Sequence, residues 1–121
     1  MTRVFIAVAL ALFSSVAAAQ GVTVTLSEWK IAMSRDTVQA GPVTFRVSNE
    51  GSMNHAFFVR GEGVAKGTRE VGKGESATLT VTLKPGTYDV YCPLSDGSHR
   101  TAGMAKTLVV VAAATTPAKK P

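Results

Sequence analysis

The chain has 121 residues, 45% of them hydrophobic and 17% charged, and its 13 basic and 8 acidic side chains give a formal net charge of +5. That length suits one small domain with a single core, and a solitary cysteine excludes an internal disulfide framework. Without Arg3, Lys119 and Lys120, near the termini, the charge falls to +2; the remaining cations are scattered singly without interleaved aromatics, which argues against a nucleic-acid partner.

Arg3, the apolar stretch from Val4 to Phe13 and Ala17-Ala18-Ala19 before Gln20 predict a secretory signal over residues 1–19, cleaved near Ala19, and export to the periplasm. An uncleaved anchor ranks second, because the apolar stretch falls short of the roughly 20 residues a spanning helix needs. The mature chain is therefore expected to have no membrane span. No twin arginine occurs, and no cysteine follows the stretch to accept a lipid.

From Gln20 the pattern changes to short segments of alternating apolar and polar residues divided by turn residues, which predicts an all-β domain over residues 20–111. Val22, Val24 and Leu26 alternate with threonines. Trp29 and Ile31 continue the series past Ser27-Glu28, where a bulge would bend the first strand, and Trp29 is expected in the core. After Gly41-Pro42, read as a turn, Val43, Phe45 and Val47 mark a half-buried strand ending at Asn49-Glu50-Gly51-Ser52. A segment from His55 to Arg60 comes next; Gly61, Gly63 and Gly67 then predict an irregular surface stretch, and Gly72-Lys73-Gly74 a turn. Leu79, Val81 and Leu83 alternate with threonines, Lys84-Pro85-Gly86 turns the chain, and Thr87 to Cys92 forms the following strand. A period of two places Tyr88, Val90 and Cys92 on one face, so a core beneath the first two also draws in the thiol. Tyr88, just after Pro85-Gly86, resembles a tyrosine corner. Thr107 to Val111 supplies a last strand, and residues 112–121, small and containing Pro and Lys, predict a disordered tail. Seven or eight strands with turns about every 8 to 12 residues point to a Greek-key β-sandwich.

Cys92, the only cysteine, is followed by His99 and Met104, while the one other histidine, His55, lies upstream. Each has an ordinary reading alone: an inert or intermolecularly linked thiol, a core histidine, a surface histidine, a gap-filling methionine. Together they fall at turn or strand-end positions of a β domain. A thiolate and two imidazoles with a weak axial thioether suit a mononuclear copper ion and one-electron transfer. One copper ion, cycling between Cu(I) and Cu(II), is the expected cofactor, with His55, Cys92, His99 and Met104 as its ligands. Met53 is expected to pack its loop and Asp96-Gly97 to turn the chain. The remaining acids are dispersed and suggest no paired-carboxylate catalyst.

Three stretches carry a resemblance to the cupredoxins, the small blue-copper proteins that include plastocyanin, azurin and sulfocyanin. They are Asn49-Glu50-Gly51-Ser52-Met53-Asn54-His55, then Leu83-Lys84-Pro85-Gly86-Thr87-Tyr88, then the loop from Cys92 through His99 to Met104. The resemblance extends over nearly all of residues 22–111. It implies a cupredoxin-like sandwich, the same four ligands, and a monomeric electron carrier rather than an enzyme. It also implies that redox partner proteins meet a surface near His99, with Pro93, Leu94, Ala102 and Gly103 as the apolar patch and Arg100 favouring a partner with an acidic rim. Two departures stand out. Six residues separate Cys92 from His99, more than in many small cupredoxins. Ala56 follows His55 where many relatives carry asparagine, and Pro93 after Cys92 has no backbone N–H, leaving the N–H groups of Ala56 and Leu94 as donors to the sulphur.

A copper-trafficking or storage protein is the alternative function. It is disfavoured because delivery sites tend to be exposed and Met- or Cys-rich, whereas this set encloses one ion with mixed ligands. A hydrolase with Cys92 as nucleophile lacks a recognisable motif, and a thioether is an unusual ligand for zinc.

Overall fold

The computed structural model describes residues 20–113; the predicted signal segment and most of the predicted tail lie outside them. In chain order the elements are β1 (Gln20–Ser27), β2 (Lys30–Met33), β3 (Thr37–Gln39), β4 (Gly41–Asn49), β5 (Phe58–Gly61), β6 (Val64–Gly67), β7 (Ser76–Leu83), β8 (Gly86–Tyr91), a short helix α1 (Ser98–Ala102) and β9 (Ala105–Val111). They form two sheets, ordered β2-β1-β4-β7 and β3-β9-β8-β5-β6. The β1–β4 and β3–β9 pairs are parallel and the rest antiparallel. This is the expected all-β sandwich.

The strands follow from alternation, since every second side chain of an extended segment lies on one face. Val22, Val24 and Leu26 of β1, Val43, Phe45 and Val47 of β4, and Val81 and Leu83 of β7 are buried from one sheet. Val59, Tyr88, Val90, Leu108 and Val110 are buried from the other. Phe45 meets Phe57, centroid to centroid, at 5.1 Å, so the two aromatic rings join the inner faces of the layers. The tyrosine corner is realised: the Tyr88 hydroxyl donates to the Lys84 carbonyl (2.8 Å) and accepts from the Lys84 N–H (3.0 Å).

The described residues hold nine strands rather than seven or eight: two predicted irregularities are hairpins, and β3, where no strand was expected, pairs with β9. Ser27 pairs with Lys30, so Glu28-Trp29 is a two-residue reversal and not a bulge. Ile31 lies opposite Leu26 and shares its inward face. Trp29, left-handed at φ 62°, is thrown outward and 42% exposed, against the expectation of a core tryptophan. Between β5 and β6, Gly61 pairs with Val64 around Glu62 and Gly63, at φ 45° and 77°. Two left-handed central residues are the hairpin geometry that matches strand twist. Gly41-Pro42, predicted as a turn, opens β4 instead, where a proline is tolerated among the first residues of a strand.

Candidate metal centre

Four connections gather at one end of the sandwich: those following β1, β4 and β8, and the one leading into β9. Asn49, buried at the end of β4, organises the first of the ligand loops. Its Nδ2 donates to the carbonyls of Met53 (2.7 Å) and Val71 (2.8 Å), and its Oδ1 accepts from the Gly51 N–H (2.9 Å). His55 is then fixed through its own backbone, bridging Val71 in both directions at 3.0 and 2.7 Å. Cys92 lies one residue past β8 in register with Tyr88 and Val90, and all three are buried as the period of two predicts.

The six residues between Cys92 and His99 form a tight reversal leading into α1. Ser95, Asp96 and Gly97 are all left-handed, at φ 56°, 53° and 84°, so Asp96-Gly97 turns the chain as expected. The first two carry side chains, and each costs about 1–2 kcal/mol in that conformation. Ordering of the loop offsets this strain: Gly97 N–H donates to the Pro93 carbonyl (3.2 Å), and Thr101 N–H to the Gly97 carbonyl (3.0 Å). The helix carries His99 inward. Met104, fully buried, donates its N–H to the His99 carbonyl and accepts from the Cys92 N–H, both at 3.1 Å. The backbone thus ties three of the predicted ligands together.

His55, Cys92 and His99 form a buried group whose donor atoms all lie within 4.8 Å of one another. The two Nδ1 atoms are 3.2 Å apart, and the Cys92 Sγ lies 3.7 Å from His99 Nδ1. Nitrogen and sulphur bonds of about 2.0–2.3 Å, as zinc makes to the same donors, put neighbouring ligand atoms about 3–4 Å apart around one ion. The three side chains therefore fit a metal, and their chemistry fits a type 1 copper ion. Each imidazole turns its outer nitrogen to a partner: His55 Nε2 to Glu28 Oε1 at 3.2 Å, His99 Nε2 to Ser95 Oγ at 3.4 Å. The Ala56 N–H reaches the sulphur at 3.4 Å, as the departures at Ala56 and Pro93 suggested; Leu94 instead offers its carbonyl to the His99 N–H (3.5 Å).

Electrostatics favour an uncharged His99. Burial lowers its pKa from the usual range, and the repulsion two charged rings would feel at His55 and His99 lowers it further, against a smaller upward pull from Glu28. A neutral imidazole is the form that ligates. Glu28 is held down to about 2, first by the Met53 N–H and also by His55 and Ser52, against an upward desolvation effect.

Several residues near the site are placed differently from expectation. His99 is only 3% exposed, because the Trp29 ring packs edge-on over it at 5.0 Å and over His55 at 6.5 Å. Trp29 therefore covers His99 from solvent; Ala102 and Gly103 are exposed, while Pro93 and Leu94 are half-buried. Met53, expected to pack its loop, is 44% exposed. Arg100 is paired with Asp89 at 2.6 Å and lies over the Tyr91 ring at 4.8 Å, so its charge is partly neutralised at home. Sequence reasoning missed Glu28, Trp29 and Ser95 as neighbours of the ligands. For Glu28 the only signal was the break in alternation at Ser27-Glu28, 27 residues ahead of the histidine it touches.

Comparison with solved structures shows the same fold. Dithionite-reduced auracyanin from the photosynthetic bacterium Roseiflexus castenholzii is 20% identical, with a TM-score of 0.63 over 78% of this chain and 98% of its own. An oxidised methionine-to-leucine variant of amicyanin is 22% identical, with a TM-score of 0.55 over 74% of this chain and 81% of its own. The multicopper oxidase mgLAC is 19% identical, with a TM-score of 0.56 over 80% of this chain but only 39% of the oxidase. No curated protein matches the sequence significantly. The model of the cupredoxin-like domain matches residues 2–111; the chain belongs to the cupredoxin-like family, a copper-binding family, and its cluster of His55, Cys92 and His99 fits a type 1 copper site.

Proposed function

We propose that the chain is an exported type 1 copper protein that carries single electrons between larger redox proteins, with His55, Cys92, His99 and Met104 as the ligands. The observation that carries this reading is the enclosed convergence of one thiol and two imidazole Nδ1 atoms. Copper held there supplies a one-electron couple between Cu(I) and Cu(II), with the coordinating thiol deprotonated. The protein's part is to keep the donors where both oxidation states accept them. Glu28 and Ser95 occupy the outer nitrogens, the Ala56 N–H supports the sulphur, and burial of all three donors excludes water. Met104, whose backbone is bonded to both Cys92 and His99, would add a weak thioether donor in this reading.

Residues 1–19 act as the export signal and 20–111 as the folded, monomeric carrier in the periplasm. Among the described residues no helix is long and apolar enough to cross a membrane. Redox partners dock over Trp29, Ala102 and Gly103, above His99, and no nucleic acid is involved. The carrier reading is preferred to an enzymatic one because the three donors are buried and one electron can pass without a bound substrate; the match covers only 39% of the multicopper oxidase, whose activity is not carried over.

Adding Cu(II) to the purified apoprotein tests the proposal. An intense thiolate-to-copper visible band and narrow hyperfine splitting in the electron spin resonance are expected, followed by reversible one-electron cycling without copper loss. Cys92→Ser should abolish the colour. A pale tetragonal-copper signal from the unmutated chain would overturn the reading, and transfer of the ion to an apo acceptor in place of cycling would favour trafficking.

A further inference from the structure

Resting on the electron-carrier reading, we infer that Glu28 is a positioning residue of the copper centre: its Oε1 fixes the tautomer and orientation of His55, and its charge biases the centre towards Cu(II).

Three N–H groups converge on one oxygen. Ser52 N–H and Met53 N–H each donate to Glu28 Oε1 at 2.8 Å, and His55 Nε2 lies 3.2 Å from the same atom. An ionised carboxylate only accepts, so Nε2 must carry the imidazole proton, and the lone pair of the neutral ring is then on Nδ1. Nδ1 is the atom that faces His99 Nδ1 at 3.2 Å. The carboxylate therefore selects which nitrogen is presented to the ion and clamps the loop that carries it.

The position of Glu28 is set by strand pairing rather than by the ligand loop. It occupies the β1–β2 reversal because Ser27 pairs with Lys30, and it faces the end of β4 because Leu26 pairs with Asn49. Gly51 makes room for it: a Cβ there would lie 2.6 Å from Oε1 and 2.8 Å from Oε2. With 29% of its side chain exposed, the carboxylate is partly shielded from water. His99 has no such partner, since its outer nitrogen meets the neutral hydroxyl of Ser95. The two imidazoles are thus unequal donors. A carboxylate behind a ligating histidine raises its basicity, which favours the more highly charged oxidation state and lowers the reduction potential.

The test compares the copper-loaded full chain with its Glu28→Gln, Glu28→Ala and Glu50→Gln variants. Glutamine keeps an acceptor oxygen for all three N–H groups but removes the charge. It should retain the visible band while weakening Cu(II) relative to Cu(I) about tenfold, read as a potential raised by about 59 mV. Alanine should in addition lower copper affinity by roughly 10- to 100-fold. In the metal-free protein, ¹⁵N NMR should show His55 protonated at Nε2 in the unmutated chain and in Glu28→Gln, and a tautomer mixture in Glu28→Ala. Glu50, exposed on the loop that carries His55, controls for net charge, and Glu50→Gln should shift the potential much less. A coloured Glu28→Gln protein with an unshifted potential, or with a shift equal to that of Glu50→Gln, overturns the role of charge. An unchanged His55 tautomer in Glu28→Ala overturns the positioning role. Absence of the visible band from the unmutated chain would overturn the electron-carrier reading instead, while the metal-free tautomer would still decide whether Glu28 orients His55.

Discussion

In the proposed site, Cys92 and Met104 would combine ordinary packing with metal chemistry. Both are fully buried within the hydrophobic core cluster, and a backbone hydrogen bond of 3.1 Å joins the Cys92 N–H to the Met104 carbonyl. Leucine fills nearly the volume of methionine, so Met104→Leu should cost less than about 1.5 kcal/mol in stability. In the proposed site it would remove a weak thioether donor, leaving Cu(II) less well held. The variant should therefore keep its colour while its potential, measured by voltammetry, rises by roughly 59 mV or more, a tenfold or greater change in relative affinity. Loss of all copper would contradict a weak axial role. The identity of these side chains was plain in the sequence, because a lone cysteine with two histidines and a methionine is a chemically specific set. Glu28 was not. A single acid in a stretch of alternating residues carries no mark of what it will face once the strands pair.

At the scale of elements, the β1–β2 turn and the end of α1 press on each other over the ligands. Gly103 is left-handed at φ 139°, and a Cβ there would meet the Trp29 carbonyl oxygen at 2.7 Å, a backbone atom that cannot swing aside. Gly103→Ala should destabilise the domain by about 2 kcal/mol, from strained backbone and the clash together. It should also displace the indole that covers His99. Urea unfolding would show a lower midpoint at unchanged slope, and indole fluorescence would report the displacement; an unaltered midpoint would refute the close approach. The long strands were legible at this scale, while strand ends and the short strands β3 and β6 were not. Glu28-Trp29 and Glu62-Gly63 lack the Asn-Gly or Asp-Gly signature of tight hairpins, so one was read as a bulge and the other as irregular chain. The short helix that carries His99 has five residues, too few to display a period of 3.6.

For the whole molecule, the core between the sheets is complete without a metal: Val22, Phe45, Phe57, Leu83, Tyr88 and Leu108 are all buried and none is a donor of the site. Removing copper with a chelator should leave the sandwich folded, with unchanged far-ultraviolet circular dichroism and a lower thermal midpoint. A ligand at a thousandfold excess over its Kd stabilises the native state by about 4.1 kcal/mol, which for a domain of this size shifts the midpoint on the order of 20 °C. Calorimetry of the two forms checks this, and an unfolded apoprotein would refute it. The sequence by itself determined the all-β class, through its period of two, and the donor chemistry, through residue types that few other tasks require together. Only the tertiary structure decided how the ends of β1, β4 and β8 meet, and with them the carboxylate behind His55 and the indole over His99. The reason is physical: alternation dictates which face a side chain takes within its strand, but neighbours across a loop cluster depend on long-range pairing, which no local pattern encodes.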